Sequence, residues 1–165
     1  MKRCAICKST KLRQIEEKHA ITVHLRGGPL RIVVAGVPAL ECGSCGEGFF
    51  EGADLENADL FAAAELANRG IQEGAVFRFM RKAVGLRGAD VANLLNVREA
   101  TISRWENDHD PVDLAAWAAL AAIVSEKLAG QTTTMDRLRA SKTPREATGP
   151  VRLRFTHACP RCSPR

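Results

Sequence analysis

The 165-residue sequence predicts an α+β fold in which a small cysteine-stapled β module precedes an all-α domain built around a helix-turn-helix. Three observations predict it. Two C-x-x-C pairs, Cys4/Cys7 and Cys42/Cys45, bracket two short β-branched runs. The apolar period then turns helical from Asp54 to about Leu128. Within that stretch, Gly88 to Asn107 carries the residues that two helices joined by a tight turn require.

Each C-x-x-C pair can seat two thiolates on one metal, and Zn²⁺ favours a closed tetrahedron of four. Such a site contributes folding energy directly to a module too small to hold itself by a core. Gly43, Gly46 and Gly48 supply residues that turn tightly around the second pair. The expectation is one structural Zn²⁺ per chain on Cys4, Cys7, Cys42 and Cys45. The same spacing also admits a disulfide set, or an iron site of the rubredoxin kind and with it an electron carrier.

Between the pairs, Ala20–Leu25 and Leu30–Val34 flank Arg26-Gly27-Gly28-Pro29 and read as a hairpin, so residues 1–52 form the zinc-binding β module. Residues 53–70, with Leu55, Ala58, Ala62 and Leu66 at helical spacing, read as a connecting helix. Residues 71–130 form short helices broken at Gly85-Leu86-Arg87-Gly88, at Asn96-Val97 and at Asp108-His109-Asp110-Pro111. Beyond Gly130 large apolar residues become sparse, and 131–165 is expected to be a disordered basic tail with a helical turn or two at Met135–Ala140.

In the segment Gly88 to Asn107, Ala92 is the small residue where two helices cross, and Asn96 stands at a turn that needs φ > 0. Val91, Leu95, Val97, Ile102 and Trp105 are the apolar positions that would hold the pair on a supporting helix carrying Phe77, Met80 and Val84. An ordinary helical hairpin would use similar apolar spacing. In a helix-turn-helix the start of the second helix enters the major groove, which nominates Glu99, Ala100, Thr101 and Arg104 as outward positions. Arg104 can bond guanine O6 and N7 bidentately, Glu99 can accept from cytosine N4, and Thr101 can meet a thymine methyl or a phosphate. Arg87, Arg98 and Ser103 are placed to bond phosphates. Arg87 and Arg98 also precede their helices without a capping hydroxyl, which Asp90 and Glu99 in the first turns offset through the helix dipole.

CAIC at the start, VPALECGSCGE at Val37 to Glu47 and ISRWEN at Ile102 to Asn107 occur in an order that resembles the MqsA-type antitoxins, with a YgiT-type zinc finger before an XRE-like helix-turn-helix. The resemblance covers about residues 1–128. It implies that Cys4, Cys7, Cys42 and Cys45 are zinc ligands and that the zinc module contacts a toxin, usually a ribonuclease. It also implies a C-terminal domain that dimerises and represses its own operon on a palindromic operator, with Arg104 at the base-contacting arginine. The chain departs from the pattern at Ala100, where the best-known members carry a base-reading asparagine. Without a toxin, the same architecture reads as a stand-alone transcription regulator.

Charge alone does not decide for DNA. The net +5 divides into +3 over 1–52, −3 over 53–69, −1 over 70–130 and +6 over 131–165, so any DNA claim rests on motif geometry. The longest apolar run, Leu114 to Val124, is 11 residues, short of the about 20 that span a bilayer. With no apolar h-region behind Met1-Lys2-Arg3, a cytoplasmic protein without membrane contact is expected. On the same run, Leu114, Trp117, Ala118 and Ala121 read as a core stripe. Leu120 and Ile123 are left over for a helix-on-helix homodimer of the C-terminal domain. The four histidines form no catalytic set, and no nucleophile or phosphate-loop motif occurs, so no enzyme is expected. The third pair, Cys159/Cys162, cannot close a zinc site alone. It could bridge two chains, recruit His157, act as a redox pair, or bind nothing specific, the last being expected because no apolar shell surrounds it.

Overall fold

A computed structural model describes residues 2–143. Three antiparallel strands in the order β1-β2-β3 are followed by six helices, an α+β architecture. The strands are β1 (Leu12–Leu25), β2 (Gly28–Cys42) and β3 (Gly48–Phe50). The hairpin strands are far longer than the β-branched runs. Leu12 to Lys18 is solvated on both faces and so shows no alternation to betray its pairing, yet Leu12 through Glu17 pair in register with Cys42 through Val37. A bulge follows at Glu17/His19, opposite Gly36 at φ 73°.

The hairpin tip and the helices share one core. Ile21 and Val23 of β1 join α1 (Gly52–Asn68), α2 (Gly74–Ala83), α3 (Gly88–Leu95), α4 (Glu99–Glu106) and α5 (Leu114–Leu128) in a single buried cluster. Phe77 and Met80 of α2 are fully buried at its centre, each contributing about 1.5–3 kcal/mol relative to exposure. The helix read as a connector, α1, instead packs on α2, α5 and β2, with Ala62, Ala63, Ala64, Leu66 and Ala67 all buried. Its alanine face lets the neighbouring helices approach closely.

Two expectations change at the C-terminal end. On α5 the expected stripe holds only in part: Trp117 is buried and Ala121 half-buried, but Leu114 is 64% exposed and Ala118 faces solvent, whereas Leu120 and Ile123 are 1% and 4% exposed in the chain's own core. The helix is apolar on every side, so its period carries no information about which stripe is buried. The residues reserved for a homodimer are therefore already packed. Beyond Gly130, the helical turns expected at Met135–Ala140 form α6 (Thr133–Ser141), which packs against α5 and α3 and so orders this part of the expected tail. Glu126 accepts from the Thr134 N–H and hydroxyl, 2.7 Å each, and Lys142 bonds Asn93. His157, Cys159 and Cys162 lie outside the described residues.

Candidate functional site

The register that pairs Leu12 with Cys42 brings the far end of β2 beside the first cysteine pair. Gly43 N–H donates to the Lys11 carbonyl at 2.8 Å and locks the two knuckles side by side. Both knuckles are built alike. In the first, Lys8 N–H donates to the Cys4 carbonyl at 3.0 Å; in the second, Gly46 N–H donates to the Cys42 carbonyl at 2.8 Å. The residue after each second cysteine must take a left-handed backbone to do this. Gly46 has φ 75°, and Lys8 adopts φ 62° despite its Cβ. Of the three glycines expected to serve the second knuckle, only Gly46 has positive φ.

Four sulfurs result, all within 4.8 Å of one another. Cys4 Sγ lies 3.7 Å from Cys45 Sγ, and Cys7 Sγ lies 3.5 Å from Cys42 Sγ. A tetrahedron with metal–sulfur bonds of about 2.3 Å has edges of about 3.8 Å, so the donor set fits one tetrahedral metal ion. A disulfide would need about 2.05 Å, and the four cysteines are free. Cys4 and Cys42 are buried while Cys7 and Cys45 are exposed, leaving the site open on one side.

Backbone N–H groups favour the thiolate at the two buried cysteines. The Ser44 N–H, then the Cys45 N–H, bring Cys42 down to about 6, and the Cys7 N–H lowers Cys4. At Cys45 the Glu47 N–H also favours the thiolate, but Cys7, burial and the other two sulfurs outweigh it and push the thiol up to about 12. Four negative sulfurs at these distances cannot coexist unaided, and a divalent cation removes the conflict.

The second candidate surface is formed by α3, the turn at Asn96 and α4. Asn96 is left-handed at φ 56°, ψ 44°, and Val97 N–H returns to the Ala92 carbonyl at 3.0 Å. Val91, Ala92, Ile102 and Trp105 are buried and Leu95 and Val97 half-buried. Leu94, not singled out from the sequence, is buried as well. Trp105 meets Phe77 of α2 edge-on at 5.9 Å. Beside it the largely buried Arg81 forks onto Glu106 with Nε–Oε1 2.5 Å and Nη2–Oε2 3.0 Å, and its Nη1 donates to the Leu86 carbonyl at 2.7 Å. This brace joins α2, the turn before α3, and the end of α4. Breaking one partner of such a pair typically costs about 3–5 kcal/mol.

Arg98, Glu99, Ala100, Ser103 and Arg104 are exposed together along α4, with Thr101 half-buried at their edge. Arg87 stands apart from them at the start of α3. There Asp90 accepts from its backbone N–H at 2.8 Å and from its guanidinium at 3.1 Å, so the N3 aspartate supplies the reciprocal half of a capping box. Asn107 Nδ2 donates to the Ser103 carbonyl at 2.7 Å. Arg104 is not free: Nε and Nη2 donate to the two oxygens of Asp110 at 2.5 and 2.9 Å. The loop curls back to allow this, with His109 N–H donating to the Arg104 carbonyl at 2.9 Å. The Arg104 guanidinium holds Asp110, and the Arg87 guanidinium holds Asp90, below the usual carboxylate range. The Asp110 partner could have been suspected from the Asp108-His109-Asp110 run, but nothing in the spacing assigns it to Arg104.

No helix among the described residues is long and apolar enough to cross a membrane. No protein-family model and no curated protein matches the chain.

Proposed function

We propose that the chain is a DNA-binding transcriptional repressor that carries one structural Zn²⁺ on Cys4, Cys7, Cys42 and Cys45 and performs no catalysis. One observation carries the DNA reading. The left-handed Asn96 turn sets α4 on α2 with its apolar side buried and Arg98, Glu99, Ala100, Ser103 and Arg104 together in solvent. Any surface helix turns its polar side to solvent; the left-handed turn at Asn96 is what favours the helix-turn-helix reading over an ordinary hairpin. Arg104 would read guanine by exchanging Asp110 for a base edge, and Arg87 and Arg98 would bond phosphates. The metal holds the knuckles in place and supplies no reaction. The donor geometry suits zinc and iron alike, and metal analysis of the purified protein separates them: a colourless zinc protein supports this reading, a coloured reducible iron site the electron carrier.

The order of the CAIC, VPALECGSCGE and ISRWEN segments supports a narrower proposal, that the repressor is the antitoxin of a toxin pair and controls its own operon. Co-purification of a ribonuclease-like protein tests that part; its absence leaves the stand-alone regulator. DNA binding is tested by selection from a random duplex library, followed by anisotropy over a salt series. Selection of a palindrome, with affinity falling steeply as salt rises, is expected. Equal binding to all duplexes, or none, would overturn the reading.

A further inference from the structure

We infer that the outer edge of β2 is a self-association surface, pairing antiparallel with the same strand of a second copy. β3 covers only Ala39 to Glu41, so among the described residues Gly28 to Pro38 have a partner strand on the β1 side alone. Pro29 has no N–H and cannot belong to a doubly bonded pair of this ladder. The doubly bonded pairs are therefore Leu25–Gly28, Val23–Leu30, Ile21–Ile32 and His19–Val34. The N–H and C=O groups of Arg31 and Val33 then point away from β1, on the side where no strand among the described residues pairs with them. Such an open edge is a template for another strand.

The edge carries an exposed apolar side chain on each face of the sheet. Val33 is 51% exposed on the outer face, and Phe61 of α1, 59% exposed, stands over the inner one. Between the edge and α1 runs a groove of about 380 Å³ lined by Leu30 to Ala35 with Phe61, Leu66, Ile71 and the Glu65–Arg69 ion pair. Exposed edges are ordinarily guarded by charge or proline. Pro29, Arg31 and the Gly36 bulge guard the two ends of this edge, and Ile32-Val33-Val34-Ala35 between them carry no charge.

A second copy fits this edge by its register. Antiparallel pairing about a two-fold near Ile32 and Val33 sets Arg31 opposite a valine or an alanine of the other copy, so no like charges face each other. It joins the outward N–H and C=O groups of Arg31 and Val33 in both copies. Because the two-fold is perpendicular to the sheet, both α1 helices lie on the same side, where each Phe61 is covered by the other copy's helix. Association at this edge does not depend on DNA binding.

The test uses the full-length, metal-loaded chain without DNA. Light scattering after gel filtration at tens of micromolar should give a dimer, and hydrogen exchange should show the Arg31 and Val33 amides protected more strongly at high than at low concentration. Val33→Lys and Phe61→Lys alter side chains exposed in the single chain, so the fold should survive, as circular dichroism would verify. Each should weaken dimerisation by about tenfold or more. A wild-type monomer at these concentrations would overturn the inference. So would a dimer insensitive to both substitutions, or one lost instead with Leu114→Lys on α5.

Discussion

Gly74 is where α2 meets the end of α4, and replacing it tests the packing on which the helix-turn-helix depends. A Cβ at this position would lie 2.0 Å from the Trp105 carbonyl oxygen and 3.0 Å from both the Trp105 carbonyl carbon and Asp108 Oδ1. Since real Cβ contacts essentially never fall below 3.0 Å, backbone must retreat by about 1 Å, because the nearest atom belongs to the Trp105 main chain and not to a flexible side chain. Overpacking of this kind costs about 3 kcal/mol at the upper end of its range. The displaced helix also loses the bond from Gly74 N–H to Asp108 at 3.0 Å, worth about 1 kcal/mol. Better helix propensity returns at most about 1 kcal/mol, leaving Gly74→Ala destabilised by about 3 kcal/mol. In urea this lowers the midpoint by about 1.5 M for a slope of about 2 kcal/mol/M. Gly52→Ala is the matched control, because that first residue of α1 has nothing within 4 Å of a new Cβ, and it should be neutral or slightly stabilising. Gly74→Ala within about 0.5 kcal/mol of wild type would refute the close approach of α2 to α4.

Other perturbations address the knuckles, the ion pairs and the surface of α4. Lys8→Gly relieves a left-handed non-glycine residue and should raise stability by about 1 kcal/mol in chemical denaturation; a loss of that size would mean the Lys8 Nζ bond to the Ala5 carbonyl matters more than the backbone. Cys42→Ser, or chelation, should remove hydrogen-exchange protection from residues 4–17 and 37–50 while sparing 19–34 and α2–α5; global unfolding would show that the metal end and the helical core are not separable. Asp108 opposes its own burial with the Arg26 guanidinium and the Gly74 N–H, which together hold its carboxyl low. Its folded value lies below its unfolded value of about 3.9, so the stability it contributes is present above that pH and is lost as the pH falls through the folded value. Asp108→Asn should lower stability at neutral pH and flatten its fall below about pH 4; an unchanged acid limb would refute the pairing. Asp110→Asn frees Arg104 and removes an anion beside it, so DNA affinity measured by anisotropy should rise, whereas a fall would show that the pair presents the guanidinium correctly.

Features were legible in the sequence where one residue type answers one local demand. Asn96 could be placed at a left-handed turn because few other residues tolerate it, and the cysteines could be grouped because their spacing is that of a metal knuckle. Lys8 hid the same demand, since a lysine at φ 62° leaves no compositional trace. The first half of β1 was illegible for a different reason. With solvent on both faces, Leu12 to Lys18 need no alternation, and only its ladder with β2 makes it a strand. The two faces of α5 could not be told apart because alanine, leucine and isoleucine surround the helix, so tertiary packing alone chose Leu120 and Ile123 for the core. Gly74 and Asp110 act on residues 31 and 6 positions away, and no local rule links them to Trp105 or Arg104.

The hairpin has two ends with different sources of order, and that division bears on how the molecule can work. With 14 residues, β1 spans about 45 Å, too long for one small core to hold throughout. At its tip, Ile21 and Val23 enter the helical core. Arg26 N–H donates to Glu73 at 2.8 Å, and the Arg26 guanidinium donates to Asp108 at 2.8 Å. Asp108 in turn accepts from Gly74, so the hairpin tip, the start of α2 and the end of α4 meet at one carboxylate. At the other end, Val37, Ala39 and Ala58 are buried outside that core, and the four sulfurs take its place. Under the proposed reading, loss of metal would leave α4 supported, whereas a partner that strained the tip would act on α4 directly through Asp108. Under that reading the metal end can be a recognition surface with its own stability, linked to α4 both by the strands, which reach Asp108 at the hairpin tip, and by α1, which leads from β3 into the helical core.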